Sequence, residues 1–344
     1  CVIGFLFNNW NIMKHRFNYE WTLKDAKFTK DKGTVFSCFA CGGGSTMGYK
    51  LAGFDVLGCN EIDPKMIEAY KTNHNPKYAY LEPIQTFKLR KDLPKELYNL
   101  DILDGSPPCS SFSMAGNREK DWGKEKVFRE GQAEQVLDTL FFDFIDLAKE
   151  LQPKVVVAEN VAGMMMGTAK EYVKKVYEEF KKAGYQLRIE PYLLDASKMG
   201  VPQRRRRVFF VALRNDLAPK FMEQVDLFQQ APKLELNFNE QEIRAKNVIG
   251  KGKEIGENTT YIEDRFGDIL IDRKKVCNTL VTQNRYFYDK RFFVDNDTFK
   301  KVGSYPMDYD FKGLQPLYLI GMSVPPVMTA NIATEIYNQW LNCL

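Results

Sequence analysis

The residues best suited to chemistry lie in Asp101-Ile102-Leu103-Asp104-Gly105-Ser106-Pro107-Pro108-Cys109-Ser110-Ser111-Phe112-Ser113, a short apolar run that stops at a double proline and presents a thiol. Proline fixes its own φ and keeps its predecessor extended, so Cys109 is expected just past a strand end, outside any helix. In an open α/β sheet, ligands bind in the crevice beyond the carboxyl ends of the strands. A thiolate placed there is a candidate nucleophile. A lone cysteine in such a turn is more often a plain free thiol. Two further groups weigh against that plainer reading. Glu159-Asn160-Val161 ends the apolar run Val155-Val156-Val157-Ala158, which puts a carboxylate at a second strand end on the same edge. Gln203-Arg204-Arg205-Arg206-Arg207 runs into a strand over 208–213, whose alternation sends Arg205 and Arg207 to one face and Arg204 and Arg206 to the other.

These groups need a sheet to hold them, and the preceding sequence supplies its first unit. A β-prone run over 34–39 leads into Ala40-Cys41-Gly42-Gly43-Gly44-Ser45-Thr46-Met47-Gly48 and a helix-forming segment. Strand, glycine-rich turn and helix together open a nucleotide-binding fold, because glycine lets backbone approach a ligand at the positive end of the helix. The next run, 55–59, ends in Asn60-Glu61-Ile62-Asp63. That places an acid about 20 residues after the glycines, where dinucleotide folds hold ribose hydroxyls. A cap for a helix starting near Pro64 is a reasonable alternative for Asp63, and less so for Glu61.

Further strands are expected over 100–103 and 155–158. Leu137, Leu140, Phe141, Phe144, Ala148 and Leu151 recur at helical spacing and predict a helix over 135–151, stopped by Pro153. Tyr172, Val173, Val176, Tyr177 and Phe180 predict another over 171–182, stopped at Gly184. Between them and the thiol, the charge-crowded stretch 114–131 reads as a solvated loop, either a lid or a plain excursion.

At 344 residues, with 44% apolar and 13% aromatic content, the chain can bury a full core and a second domain. The net charge of +4 permits an acidic polymer as partner without requiring one. Seven cysteines without a regular framework point to free thiols in a reducing compartment. Cys38 and Cys41 have no second pair, and only His15 and His74 are available to complete a metal site, so they read as structural thiols. No apolar run approaches the ~20 residues of a membrane span, and the opening apolar residues are too short for a signal peptide. A cytoplasmic protein with no membrane partner is expected. The alternation of strands and helices stops near Asn215, and up to about Tyr305 the chain is polar and irregular. Within it, Asn284-Arg285-Tyr286-Phe287-Tyr288-Asp289-Lys290-Arg291-Phe292-Phe293 interleaves cations with aromatics. Such a run suits phosphates and bases, or a two-sided strand. Four segments result: an extension over 1–33 packing on the body, a catalytic domain over 34–214, a smaller domain over 215–305, and a returning segment over 306–344.

Taken in order, the Pro-Pro-Cys corner, the Glu159-Asn160-Val161 element, Gln203-x-Arg205-x-Arg207 and Gly321-Met322-Ser323-Val324-Pro325-Pro326 resemble the cytosine-C5 DNA methyltransferase family of bacterial or phage type. The resemblance covers most of 34–214 and 299–344. It implies an α/β, doubly wound, Rossmann-like S-adenosylmethionine-dependent methyltransferase domain, with a smaller, mostly irregular or β target-recognition domain over 215–305. Cys109 would then add to C6 of a flipped-out cytosine, Glu159 would protonate N3, Arg207 would hold O2 and Arg205 would support the acid. S-adenosylmethionine would lie against Phe39, Ala40, Gly42, Gly43, Gly44, Glu61, Ile62, Pro107, Ser323 and Val324, leaving S-adenosylhomocysteine as product, with no metal. The 114–131 loop would close over the base. The implied partner is double-stranded DNA, with the chain a monomer; whether a cognate restriction endonuclease accompanies it is left open. A tRNA cytosine methyltransferase of the same family and a catalytically silent binder on the same fold remain open. The sequence departs from the usual family motifs at Cys41, Ser110, Met322 and Glu82-Pro83-Ile84.

Overall fold

A computed structural model describes residues 17–108, 139–166, 169–226, 229–250, 265, 267–282, 284–289 and 292–344, together with the backbone of three short strands at 125–126, 135–136 and 253–254. Cys109 and the 114–131 loop, apart from its strand at 125–126, lie outside the described residues. The first half of the chain lays down β1 (Thr34–Cys38), α1 (Gly44–Leu51), β2 (Asp55–Glu61), α2 (Pro64–His74), β3 (Tyr78–Leu81), the one-turn α3 (Ile84–Phe87) and β4 (Ile102–Gly105). Strand β5 (Glu125–Lys126) pairs with β6 (Gln135–Val136), and α4 (Leu140–Leu151), β7 (Val155–Val161), α5 (Ala169–Lys182), β8 (Tyr185–Leu187), β9 (Tyr192–Asp195) and β10 (Arg206–Arg214) follow.

The central sheet runs β3-β2-β1-β4-β7-β10-β8, with β9 also on β10. Strands β3, β2, β1, β4 and β7 are parallel and β10 is antiparallel to β7. The chain builds outward from β1 through β3, then returns to β4 on the other side of β1. That reversal opens a crevice at the carboxyl ends of β1 and β4, which is where this class of sheet binds ligands. The glycine-rich loop and the Pro107-Pro108 corner both emerge there.

Each sheet face is covered by apolar helix faces. On one side Phe141, Phe144, Leu147 and Leu151 of α4 and Tyr172, Val176 and Phe180 of α5 pack over Phe36, Leu103 and Val156. Phe144 packs so closely on the end of β4 that a Cβ added at Gly105 would sit 2.5 Å from its ring. On the other side Tyr49 of α1 and Met328, Ile332 and Ile336 of α8 (Pro326–Gln339), followed by Trp340, cover Val35, Ile102 and Val157. The segment 316–343 is apolar enough by composition to cross a membrane, but it folds as α7 (Pro316–Met322) and α8, broken at Pro325-Pro326, and most of it is buried against the sheet.

Helix α4 starts at Leu140, not at 135, because Gln135–Val136 spend their backbone hydrogen bonds on Glu125–Lys126. The periodic residues from Leu140 onward all fall within the helix. Beyond β10 come the hairpin β11 (Met222–Gln224) and β12 (Gln230–Pro232), then a small sheet ordered β13 (Lys253–Glu254), β16 (Phe292–Phe293), β15 (Arg285–Asp289), β14 (Asp268–Leu270), and α6 (Asn296–Val302). The basic and aromatic run is largely a two-sided strand: Tyr286 and Phe287 are buried, and Arg285 makes a two-pronged ion pair with the buried Asp268.

Candidate active site

Three strand ends converge at the crevice. Pro107 and Pro108 follow β4, and the Pro107 carbonyl accepts a hydrogen bond from Asn160 Nδ2 at 3.1 Å. Asn160 is buried near the end of β7, and its side-chain oxygen also accepts from the Val161 amide at 2.8 Å. One amide side chain thus ties the cysteine-bearing corner to the strand that carries Glu159. The sequence contains Asn160 within the acidic motif, yet its role as a tie becomes visible only once β4 and β7 are adjacent.

Glu159 is buried, and its Oε1 lies 2.9 Å from Arg207 Nε. The antiparallel register sets Arg207 opposite Val161, so Glu159 is its diagonal neighbour on the same face. Burial pulls the Arg207 guanidinium below its usual range, and Glu159 offsets part of that shift. Arg205 is also buried, on the same side by alternation, while Arg204 and Arg206 are exposed. Arg205 does not contact the acid as expected: its Nη2 donates to the Gly321 carbonyl at 3.0 Å, and Nε and Nη1 have no hydrogen-bond partner among the described residues. Burial, with Arg207 as a second cause, brings its pKa down to about 9. The ion-pair partner of Glu159 is Arg207, not Arg205. Gln203 accepts from the Leu280 amide at 3.0 Å, which ties the segment before β10 to residues near Cys277.

The loop after β1 is held in an unusual backbone state. Phe39 and Cys41 both have left-handed φ values, 52° and 47°, a conformation that side chains other than glycine seldom adopt, and Gly43 follows at 84°. The Cys41 amide donates to Glu61 Oε2 at 2.7 Å, while Ile62 and Asp63 amides donate to Oε1 at 2.8 and 3.0 Å. Glu61 thereby fastens the loop to the end of β2; burial raises its pKa, and the three amides hold it down. Asp63 caps α2 through the Lys65 and Met66 amides. Gly43 is the N-cap of α1, whose first turn carries no acidic residue. A Cβ at Gly44 would sit 2.4 Å from the Val324 carbonyl and 2.8 Å from Ser323 Cβ, so glycine lets the C-terminal Ser323-Val324 element close against the loop. Ser323 Oγ itself donates to the Leu319 carbonyl at 2.9 Å. Ala40 is buried and Ile62 is partly exposed. Phe39 lies 6.3 Å, ring to ring, from Phe144.

Beneath the loop lies Asp104, a buried carboxyl on β4 that no sequence motif flags. Ser37 Oγ and Tyr49 OH each donate to it at 3.1 Å. Burial raises its pKa to about 7 against those hydrogen bonds. Among the described residues, no group of three or more His, Cys, Asp or Glu side chains is placed to hold a metal.

A family model described as C-5 cytosine-specific DNA methylase matches residues 33–286. The type II methyltransferase M.FnuDI of Fusobacterium nucleatum is 31% identical over 249 residues, spanning 70% of this chain and 67% of that protein. M.NgoPII of Neisseria gonorrhoeae, another type II methyltransferase, is 32% identical over 187 residues, spanning 54% of this chain and 50% of the relative. A crystal structure of an E. coli prophage-encoded DNA modification methyltransferase shares the fold at a TM-score of 0.63 and 21% identity, covering 90% of this chain and 99% of that one.

Proposed function

The chain belongs to the C-5 cytosine-specific DNA methylase family, and we propose that it methylates cytosine in a short duplex DNA site with Cys109 as nucleophile and the Glu159–Arg207 pair as the acid and its support. Members of this family are S-adenosylmethionine-dependent methyltransferases. The observation that carries the assignment of roles is the ion pair at the end of β7, joined through Asn160 to the corner that leads into Cys109.

Cytosine C5 is too electron-poor to take a methyl group unaided. Addition of the Cys109 thiolate to C6 makes C5 nucleophilic, and the charge spreading toward N3 is met by a proton from Glu159. Once C5 is substituted, loss of its proton and expulsion of the thiolate restore the ring. Arg207 keeps Glu159 oriented and, from the same guanidinium, reaches the base carbonyl. The target base must leave the helix to reach these groups.

S-adenosylmethionine supplies the electrophilic methyl group. The loop's donor set fits it: Phe39 offers an aromatic face for the adenine, Glu61 a carboxylate for the ribose, and the amino end of α1 a site free of acidic side chains for the cofactor's own carboxylate. Glu61 would exchange one of its backbone amides for a ribose hydroxyl. Ser323 and Val324, packed on Gly44, close the far end, and Pro107 borders the crevice from β4.

Residues 215–305 are proposed to read the DNA site, with Arg273 over Tyr288 at 5.1 Å and Tyr288 stacked on Phe292 as its outward basic and aromatic face. A monomer acting in the bacterial cytoplasm beside a cognate restriction endonuclease completes the proposal. Incubating the chain with labelled S-adenosylmethionine and either duplex DNA or tRNA tests the substrate. Label in DNA that forms a denaturant-stable adduct when 5-fluorocytosine replaces cytosine is the expected result; label in tRNA alone would transfer the chemistry to the other substrate.

A further inference from the structure

Much of the hydrogen bonding of residues 17–25 goes to one turn. The Trp21 indole donates to the Ser304 carbonyl at 3.2 Å, and the Met307 amide donates to the Trp21 carbonyl at 2.8 Å. The Leu23 and Lys24 amides donate to the two carboxylate oxygens of the exposed Asp308, at 2.7 and 3.1 Å. Ser304, at the start of the turn, has a left-handed φ of 55°, a state that needs support from its surroundings.

The other end of that turn reaches the glycine-rich loop. Tyr309 OH donates to the Gly42 carbonyl at 2.5 Å, and His74 Nε2 lies 3.1 Å from the same oxygen. Asn73 and Asp310 exchange two more bonds, at 2.7 and 2.9 Å, which lock the end of α2 to the turn. A carbonyl can only accept, so His74 carries its proton on Nε2. Burial holds the ring neutral, with its pKa at about 3. Both lone pairs of the Gly42 oxygen are therefore engaged, one from α2 and one from the turn.

We propose that residues 17–25 are a brace for the loop 39–44, acting through the 304–310 turn, with Tyr309 and His74 as positioning residues that fix the Gly42 peptide. The proposal rests on the reading of 39–44 as the cofactor loop. A peptide held by two donors is preorganised, and loss of either donor lets it rotate, so that binding must restore the order. The effect belongs to cofactor affinity and not to the chemical step.

The test is calorimetric binding of S-adenosylhomocysteine to the full chain and to Asp308→Ala, Tyr309→Phe and the double variant, with Trp340→Phe as control. Trp340 makes a comparable indole bond, to the Lys233 carbonyl at 2.7 Å, beyond the end of α8. Asp308→Ala and Tyr309→Phe are expected to weaken binding about three- to tenfold. The double variant should be no weaker than the worse single one, because Asp308 acts through Tyr309. The control should bind as the unaltered chain does, and methylation at saturating cofactor should be retained in every variant. Unchanged binding by Asp308→Ala, or equal weakening by Trp340→Phe, overturns the brace. A wild-type chain that binds no S-adenosylhomocysteine overturns the reading of the loop itself, and the brace with it.

Discussion

Arg207 Nε holds Glu159 Oε1 at 2.9 Å across the β7–β10 pair, a diagonal contact set by a register that places Arg207 opposite Val161. Their side chains are only 16% and 11% exposed, so each needs the other. The cost of burying two charges is offset only while both partners are present.

Replacing Arg207 separates charge from shape. Arg207→Lys keeps a cation but loses the planar fork that can meet a carboxylate and a base carbonyl together. Its kcat is expected to fall about 10- to 100-fold with cofactor affinity retained. Arg207→Ala leaves Glu159 buried without its ion-pair partner and should also unfold more easily, by about 3–5 kcal/mol. Single-turnover methylation and denaturant melts check the two effects separately.

Asn160 tests the tie between the acid strand and the cysteine corner. Asn160→Ala deletes its bonds to Pro107 and Val161. A lost hydrogen bond of about 1 kcal/mol that acts on nucleophile position should lower kcat several-fold or more, leaving the dissociation constant for S-adenosylmethionine unchanged. Rapid-quench measurement of the methylation step reads this directly. Equal loss of cofactor binding would mean that Asn160 serves the fold alone.

Asp104 should give the stability of the chain a distinctive pH dependence. Its folded pKa, about 7, lies above its ordinary value of 3.8. Between those values the folded state holds a proton that the unfolded state has released, so this carboxyl's contribution falls as pH rises and is lost above about pH 7. The difference is on the order of a few kcal/mol. His74, depressed to about 3, acts in the opposite sense, stabilising at neutral pH and losing that contribution as pH falls below 6.5. Comparing wild type with Asp104→Asn isolates the aspartate. Urea melts at pH 5.5 and 7.5 should show the variant gaining relative stability at the higher pH.

Much of this site was legible in the sequence because its signals are local. The Pro-Pro corner, the glycines after an apolar run, and the alternation that buries Arg205 while exposing Arg204 each follow from a few adjacent residues. What escaped depends on contacts between distant segments. The partner of Glu159 is fixed by the β7–β10 register, which no spacing within either strand reveals, and so it is Arg207, not Arg205. His74 and Tyr309 lie 235 positions apart and meet only at the Gly42 carbonyl. Asp104 looked like one more residue of a strand. The cationic and aromatic run near Arg285 carried two readings in sequence, and the buried Asp268 partner decides most of it in favour of a structural strand.

The most direct test of the central claim is base-resolution mapping of 5-methylcytosine in a methylation-free host expressing the chain or its Cys109→Ser variant. With Cys109 as nucleophile, marks appear in one short sequence context and vanish in the variant. Marks that persist with Cys109→Ser, or an unmarked genome in the presence of soluble wild-type protein, would contradict that claim.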